Sequence, residues 1–196
     1  MDSASDVSTF ILAGGKSTRM GSDKAFLQLN GRTLLARMLE AARSLTSNVR
    51  IVGDQSKYEA FASVVEDVFP GCGPLGGIHA ALRSSTTDLN VILAVDTPFV
   101  SLALLQFLVS RARNSPGSLV IVAQVNGGLQ PLCAVYRRQF ADAAEEALGA
   151  GRYKIDALFG PETTQVIGED ELESAGFSAN MFRNLNTPEE LVRAQQ

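Results

Sequence analysis

Val91-Ile92-Leu93-Ala94-Val95 is the most apolar run in this chain, and it ends on a carboxylate, Asp96. An unbroken aliphatic run of that length reads as a strand covered on both faces, which belongs at the centre of a parallel sheet. Further strands are expected at residues 10–13, at Val49–Val52 and at residues 64–65, the last ending in Glu66-Asp67. Leu34, Leu35, Met38, Leu39, Ala42 and Leu45 recur at helical spacing and predict an amphipathic helix between the first two. A short helix is expected at 58–63, and others at 78–83, at 101–112 with Ser101 as its cap, and at 140–148, stopping at Gly149. Strand and helix alternate, which implies right-handed βαβ units.

The later chain is less regular. A strand at 119–123 reverses at Asn126-Gly127-Gly128 and returns over 129–136. Pro131 within that return marks an edge or a bulge. A short helix is expected at 153–159, and late strands at 166–167 and around Phe182, with an acidic connection between them. Thr187-Pro188-Glu189-Glu190 is a capping box with proline at the first helical position. Two prolines and four glycines in the nine residues 69–77 mark a shaped loop. The expected fold is α/β: a single domain over 1–196, with a mostly parallel Rossmann-like sheet, helices on both faces and residues 1–7 as a flexible tail.

Composition narrows the function. The 196 residues suffice for one domain with a substantial core. A net charge of −4 argues against a broad nucleic-acid surface, so an anionic ligand needs a local cluster of cations. Cys72 and Cys133 are too few for a disulfide framework or a metal quartet, and they suggest a reducing cytoplasm. The polar, acidic stretch 1–8 does not read as a signal peptide, and no apolar run approaches the ~20 residues of a membrane span.

That local cluster lies in Leu12-Ala13-Gly14-Gly15-Lys16-Ser17-Thr18-Arg19-Met20-Gly21-Ser22-Asp23-Lys24. A strand breaks there on two glycines, and Lys16, Arg19 and Lys24 follow. Glycines after a strand let backbone N–H groups approach a ligand closely, and successive N–H groups form an anion-binding concavity. The stretch is neither of the commoner phosphate loops. A P-loop ending in Gly15-Lys16-Ser17 needs glycine where Phe10 stands, and Gly14-Gly15 lacks the G-x-G-x-x-G spacing.

The pattern L-A-G-G-x-S-x-R-M-G-x-D-K resembles the signature loop of nucleotidyltransferases related to sugar-phosphate nucleotidylyltransferases. It is most similar to that of the molybdenum cofactor guanylyltransferases. The likeness continues through Gly73-Pro74-Leu75-Gly76-Gly77, Asp96-Thr97-Pro98, Gln130-Pro131-Leu132 and Asn184-Leu185-Asn186-Thr187-Pro188-Glu189-Glu190. It implies transfer of GMP from MgGTP to the terminal phosphate of molybdopterin, with release of pyrophosphate, by a cytoplasmic and monomeric enzyme. Proteins that deliver the pterin would be its partners. The cytidylyl version of the reaction, whose loop carries LAAG, stays open, as do a sugar-1-phosphate nucleotidylyltransferase and a nucleotide-binding regulatory module.

Under this resemblance Leu12, Ala13, Gly14, Gly15, Lys24, Asp67 and Asp96 hold the nucleotide. Arg19, Lys24 and Asp96 are catalytic. The two cations stabilise charge on the phosphates, and Asp96 holds Mg²⁺, which commonly takes one or two carboxylates plus substrate phosphates. The other reading by residue type makes Asp96 a helix-cap or turn carboxylate and Asp67 a surface one. Gly76, Gly77, Gln130, Asn184 and Asn186 are implied on the acceptor side. The amides could pair with a heteroaromatic edge, or Asn184 and Asn186 could simply cap turns. Gly53-Asp54 departs from relatives that carry an asparagine nearby. Gly15 is expected to leave room for the larger purine base. His79 and the two cysteines read as structural.

Overall fold

The computed structural model describes residues 6–14 and 23–194. Strand β1 (Val7–Leu12) is buried along its whole length. A 3-10 turn at Lys24–Phe26 leads to the small hairpin β2 (Gln28–Leu29) and β3 (Arg32–Thr33). Its turn residues Asn30 and Gly31 have φ of 50° and 74°, the left-handed pair that a tight reversal between right-twisted strands requires. Helix α1 (Leu34–Leu45) starts at Thr33, whose hydroxyl accepts the Ala36 N–H. There follow β4 (Val49–Val52), α2 (Gln55–Tyr58), β5 (Ser63–Val65), α3 (Pro74–Ser84), β6 (Leu89–Ala94) and α4 (Leu102–Asn114). The chain finishes with β7 (Val120–Val125), β8 (Gly128–Arg137), α5 (Phe140–Gly149), β9 (Thr164–Ile167), α6 (Glu169–Ser174) and α7 (Pro188–Arg193).

The seven main strands are ordered β5-β4-β1-β6-β8-β7-β9, and β8 alone runs against the others. Side chains alternate across the sheet. Val7, Ile11, Val91 and Leu93 pack with α1 and α4, whereas Phe10, Leu12 and Ile92 pack with α3 and α5. The run 91–95 is therefore central and covered on both faces. Among the described residues no helix is long and apolar enough to cross a membrane. Of the expected tail, residues 1–5 lie outside the described ones, and Val7 already belongs to β1.

Several elements differ from the sequence-based expectation. Helix α2 precedes 58–63 because Asp54 caps it, its carboxylate accepting the Ser56 N–H. Phe182 lies in a 3-10 turn, Ala179–Phe182, not in a strand. The segment 153–159 holds one 3-10 turn, Ile155–Leu158, and the acidic connection forms α6. Pro131 sits where the β7–β8 register shifts, so it marks a bulge in an interior strand.

The largest difference is α3, which begins at Pro74 and includes both Gly76 and Gly77. Proline at the first helical position needs no N–H partner, so the loop ends earlier than glycine content suggests. The two glycines serve contact. A Cβ at Gly76 would stand 2.7 Å from the Asp67 carboxylate and 3.0 Å from the Phe69 carbonyl, and one at Gly77 would stand 2.8 Å from Leu12 Cδ2. Gly76→Ala should thus destabilise the protein by ~1–3 kcal/mol through overpacking, even though alanine gains up to ~1 kcal/mol in helix propensity. A urea midpoint that stayed level or rose would show that α3 shifts freely.

Candidate active site

The carboxyl ends of β1, β4, β5 and β6 share one edge of the sheet, since these four strands are parallel. The ladder continues past their ends. Ala13 N–H donates to Val52 O at 3.0 Å, Val95 N–H to Leu12 O at 3.1 Å and Gly53 N–H to Val65 O at 3.0 Å. Gly14, Gly53, Asp67 and Asp96 are thereby held on one side of the molecule, where ligands of open α/β sheets bind.

Lys24 is aimed across this edge. Asp23 caps the turn that carries it, accepting the Ala25 N–H on Oδ1 at 3.1 Å. Lys24 Nζ then donates to Asp96 Oδ2 at 3.0 Å and to Asn186 Oδ1 at 2.7 Å. The Asp96 carbonyl accepts the Leu185 N–H at 2.9 Å, which folds residues 184–186 against the strand end. The side chains of Lys24 and Asp96 are 22% and 17% exposed, so their attraction adds little to stability. What the pair provides is a positioned cation beside a positioned carboxylate. Sequence reasoning placed Lys24 and Asp96 with the nucleotide and Asn186 with the acceptor, and the fold brings Lys24 into contact with both of the others.

Two adjoining cavities open at this edge, sharing Leu12, Gly14 and Pro74. The smaller, about 230 Å³, is walled by Ala13, Asp23, Lys24, Asp96 and Leu132. The larger, about 570 Å³, is walled by Gly53, Asp54, Asp67, Gly73 and Gly77. Asp67 is oriented by accepting the Phe69 N–H on Oδ1 at 2.8 Å, and Gly76 lies behind it. Gln130 lines neither cavity. Its Nε2 donates to Gly128 O at 3.2 Å on the β7–β8 hairpin, and Leu132 is the residue of that segment that reaches the smaller cavity. Asn184 is exposed beside the buried Leu185. Gly15 and Arg19 fall outside the described residues.

Other candidates for chemistry stand apart. Burial pushes the Cys133 thiol up to about 12, which makes it a packing group. His79 is buried with its ring edge-on to Phe69 and its Nε2 3.6 Å from Glu145 Oε2, and it lines neither cavity. Sequence reasoning missed Asp23, Tyr58 and Leu132 as parts of the site. Asp23 had a signal, an N-cap residue directly before Lys24. Tyr58 had none, because only the tertiary fold carries it to Ala13.

Fold and cleft together define an α/β domain with a cleft that opens at the carboxyl edge of a mostly parallel sheet. A cation–carboxylate pair lies at one end of the cleft and a larger recess at the other. The chain belongs to the family described as the MobA-like NTP transferase domain, whose model matches residues 9–164. It is 34% identical over 192 residues to a molybdenum cofactor guanylyltransferase of Desulfosudis oleivorans, covering 96% of this chain and 94% of that one. It is 33% identical over 193 residues to that of Vibrio cholerae, covering 96% and 91%. Molybdopterin-guanine dinucleotide biosynthesis protein A from Archaeoglobus fulgidus superposes with a TM-score of 0.82 at 28% identity, covering 96% of each chain. The resemblance read from the glycine-rich loop and its partner segments thus holds over nearly the whole chain.

Proposed function

We propose that this chain is a molybdenum cofactor guanylyltransferase. In this reading the terminal phosphate of molybdopterin attacks the α-phosphorus of GTP, the bond to the β-phosphate breaks, and pyrophosphate leaves. The relatives named for this activity cover almost the full chain, and the observation that carries the reading is the Lys24–Asp96 pair at the cleft's edge. A phosphate nucleophile is already ionised, so no general base is demanded.

The residues present suit a Mg²⁺ ion shared with substrate. Among the described residues no group of three or more His, Cys, Asp and Glu side chains could enclose a metal, and only Oδ2 of the Asp96 carboxylate is engaged. One carboxylate plus phosphate oxygens is a usual Mg²⁺ environment. The ion, when bound, neutralises charge on the phosphates. Asp96 would hold it, and Lys24, with Arg19 from the loop, would meet the phosphate oxygens. We assign the larger cavity, within the size range of small-molecule sites, to the nucleoside. Leu12, Ala13, Gly14, Gly15 and Asp67 then border the nucleotide. Gly77 is better read with that recess than with the acceptor, because it shares its wall with Asp67. Gly76 acts through Asp67, which it backs. Asn186, bonded to Lys24, with Asn184 and Gln130, is kept for the acceptor.

The test is pyrophosphate release from each of four NTPs, with and without the pterin acceptor. Release with GTP alone, and only with acceptor present, is the expected result. Use of CTP would make this the cytidylyl enzyme, and binding without release would make it a regulatory module. The same reading has the chain acting as a monomer in the cytoplasm and receiving its acceptor from a delivering protein. The free Cys72 and Cys133 accord with a reducing compartment.

A further inference from the structure

We propose that Tyr58 is a positioning residue for this reaction. Its hydroxyl ties together the two stems of the phosphate loop and so fixes the direction in which Lys24 is presented. The kinetic part of this proposal rests on the function proposed above, whereas the geometric part stands without it.

Tyr58 ends α2 and is 1% exposed. Its Oη lies 3.0 Å from the Ala13 carbonyl and 2.9 Å from Asp23 Oδ2. Ala13 precedes the loop, and Asp23 follows it. Both partners are acceptors, so the single hydroxyl proton is shared between them in a three-centre contact that links the strand end to the residue capping the Lys24 turn. Asp23 divides its two oxygens accordingly, Oδ1 to the Ala25 N–H and Oδ2 to Tyr58, with Lys57 Nζ a further 3.4 Å contact on Oδ2. The turn so fixed sends Lys24 Nζ to Asp96 and Asn186.

The tyrosine itself has little freedom. Its ring covers Gly53 so closely that a Cβ there would stand 2.7 Å from Cε2, and it stacks on Phe26 with centroids 6.0 Å apart. Gly53 in turn walls the larger cavity. Burial, reinforced by the neighbouring Asp23 carboxylate, pushes the phenol well above its ordinary range, so it remains a donor. A bond from a neutral donor to a carboxylate is charge-assisted, and stronger than one between neutral groups. A tyrosine serving only the core would need its ring. This one places its hydroxyl between two groups of the site.

Tyr58→Phe keeps the ring and removes only the hydroxyl. In the substrate-free full-length chain, amide exchange at Ala25 should quicken by roughly tenfold while α1 and α4 keep their protection. In GMP transfer, kcat should fall by about 10- to 100-fold, the range of one charge-assisted bond, with the GTP KM moved by no more than about threefold. Asp23→Asn weakens the same bond from its other end and should reproduce the rate loss, and the double variant should lose little more. Unchanged Ala25 exchange in Tyr58→Phe, or losses from the two substitutions that simply add, would overturn the proposal. If the wild-type chain moved no nucleotide from GTP, the proposed function would fail, and Ala25 exchange would still decide whether Tyr58 holds the turn.

Discussion

Asp96→Asn is expected to abolish nucleotidyl transfer, lowering kcat by at least roughly a thousandfold, or ~4 kcal/mol of barrier, while the protein should unfold at nearly the same urea concentration. The side chain stands just beyond β6, where Oδ2 faces Lys24 Nζ at 3.0 Å. An amide keeps the shape but carries no charge to set against a divalent cation or against Lys24. The backbone role survives, because the Asp96 carbonyl still accepts the Leu185 N–H. A partly exposed ion pair contributes only ~0–1 kcal/mol to stability, which is why the fold should tolerate the change. Steady-state rates across a range of Mg²⁺ concentrations decide the matter. Near-normal turnover in the variant would remove Asp96 from the metal site.

Lys24→Ala is expected to lose ~2–4 kcal/mol of transition-state stabilisation, a factor of about 10² to 10³, by analogy with the removal of a preorganised donor from an oxyanion site. Charge on the phosphates grows toward the transition state, so the loss should appear in kcat more than in KM. Two features sharpen the expectation. Lys24 is held from two sides, by Asp96 and by Asn186, and it leaves a capped turn whose direction Asp23 fixes. Removing it also leaves the Asp96 carboxylate without its cation, so Lys24→Ala and Asp96→Asn should combine non-additively. A rise confined to the GTP Michaelis constant would show that Lys24 binds substrate without favouring the transition state.

Much of the frame was legible because its signals are local. The apolar run ending at Val95 announced a central strand, since an alternating strand would have announced one wet face. Asn30-Gly31 and Asn126-Gly127 announced reversals, and each pair adopts the left-handed φ that such a turn requires. Ser101 and the Thr187–Glu190 box announced helix starts, and both caps form. Residues 12–24 carried the most specific part of the family resemblance, because a contiguous motif is read directly from neighbours in sequence. Glycine misled at α3, where Gly76 and Gly77 read as breakers. Their small size lets the helix press against Asp67 and Leu12, and only the packed structure displays that contact.

The constellation at the cleft was decided by tertiary structure alone. Lys24 meets Asp96 across 72 positions and Asn186 across 162, distances over which no periodicity or capping preference acts. They meet because β1 pairs with β6, which sets Leu12 beside Ala94, and because Leu185 docks on the Asp96 carbonyl. Tyr58 reaches Ala13 for the same kind of reason, through the pairing of β1 with β4 and the short helix that follows. Sequence by itself thus determined most of the elements, the turns and the residue types the chemistry needs. Which of those residues touch was set by strand order, a property of the whole sheet that no single segment carries.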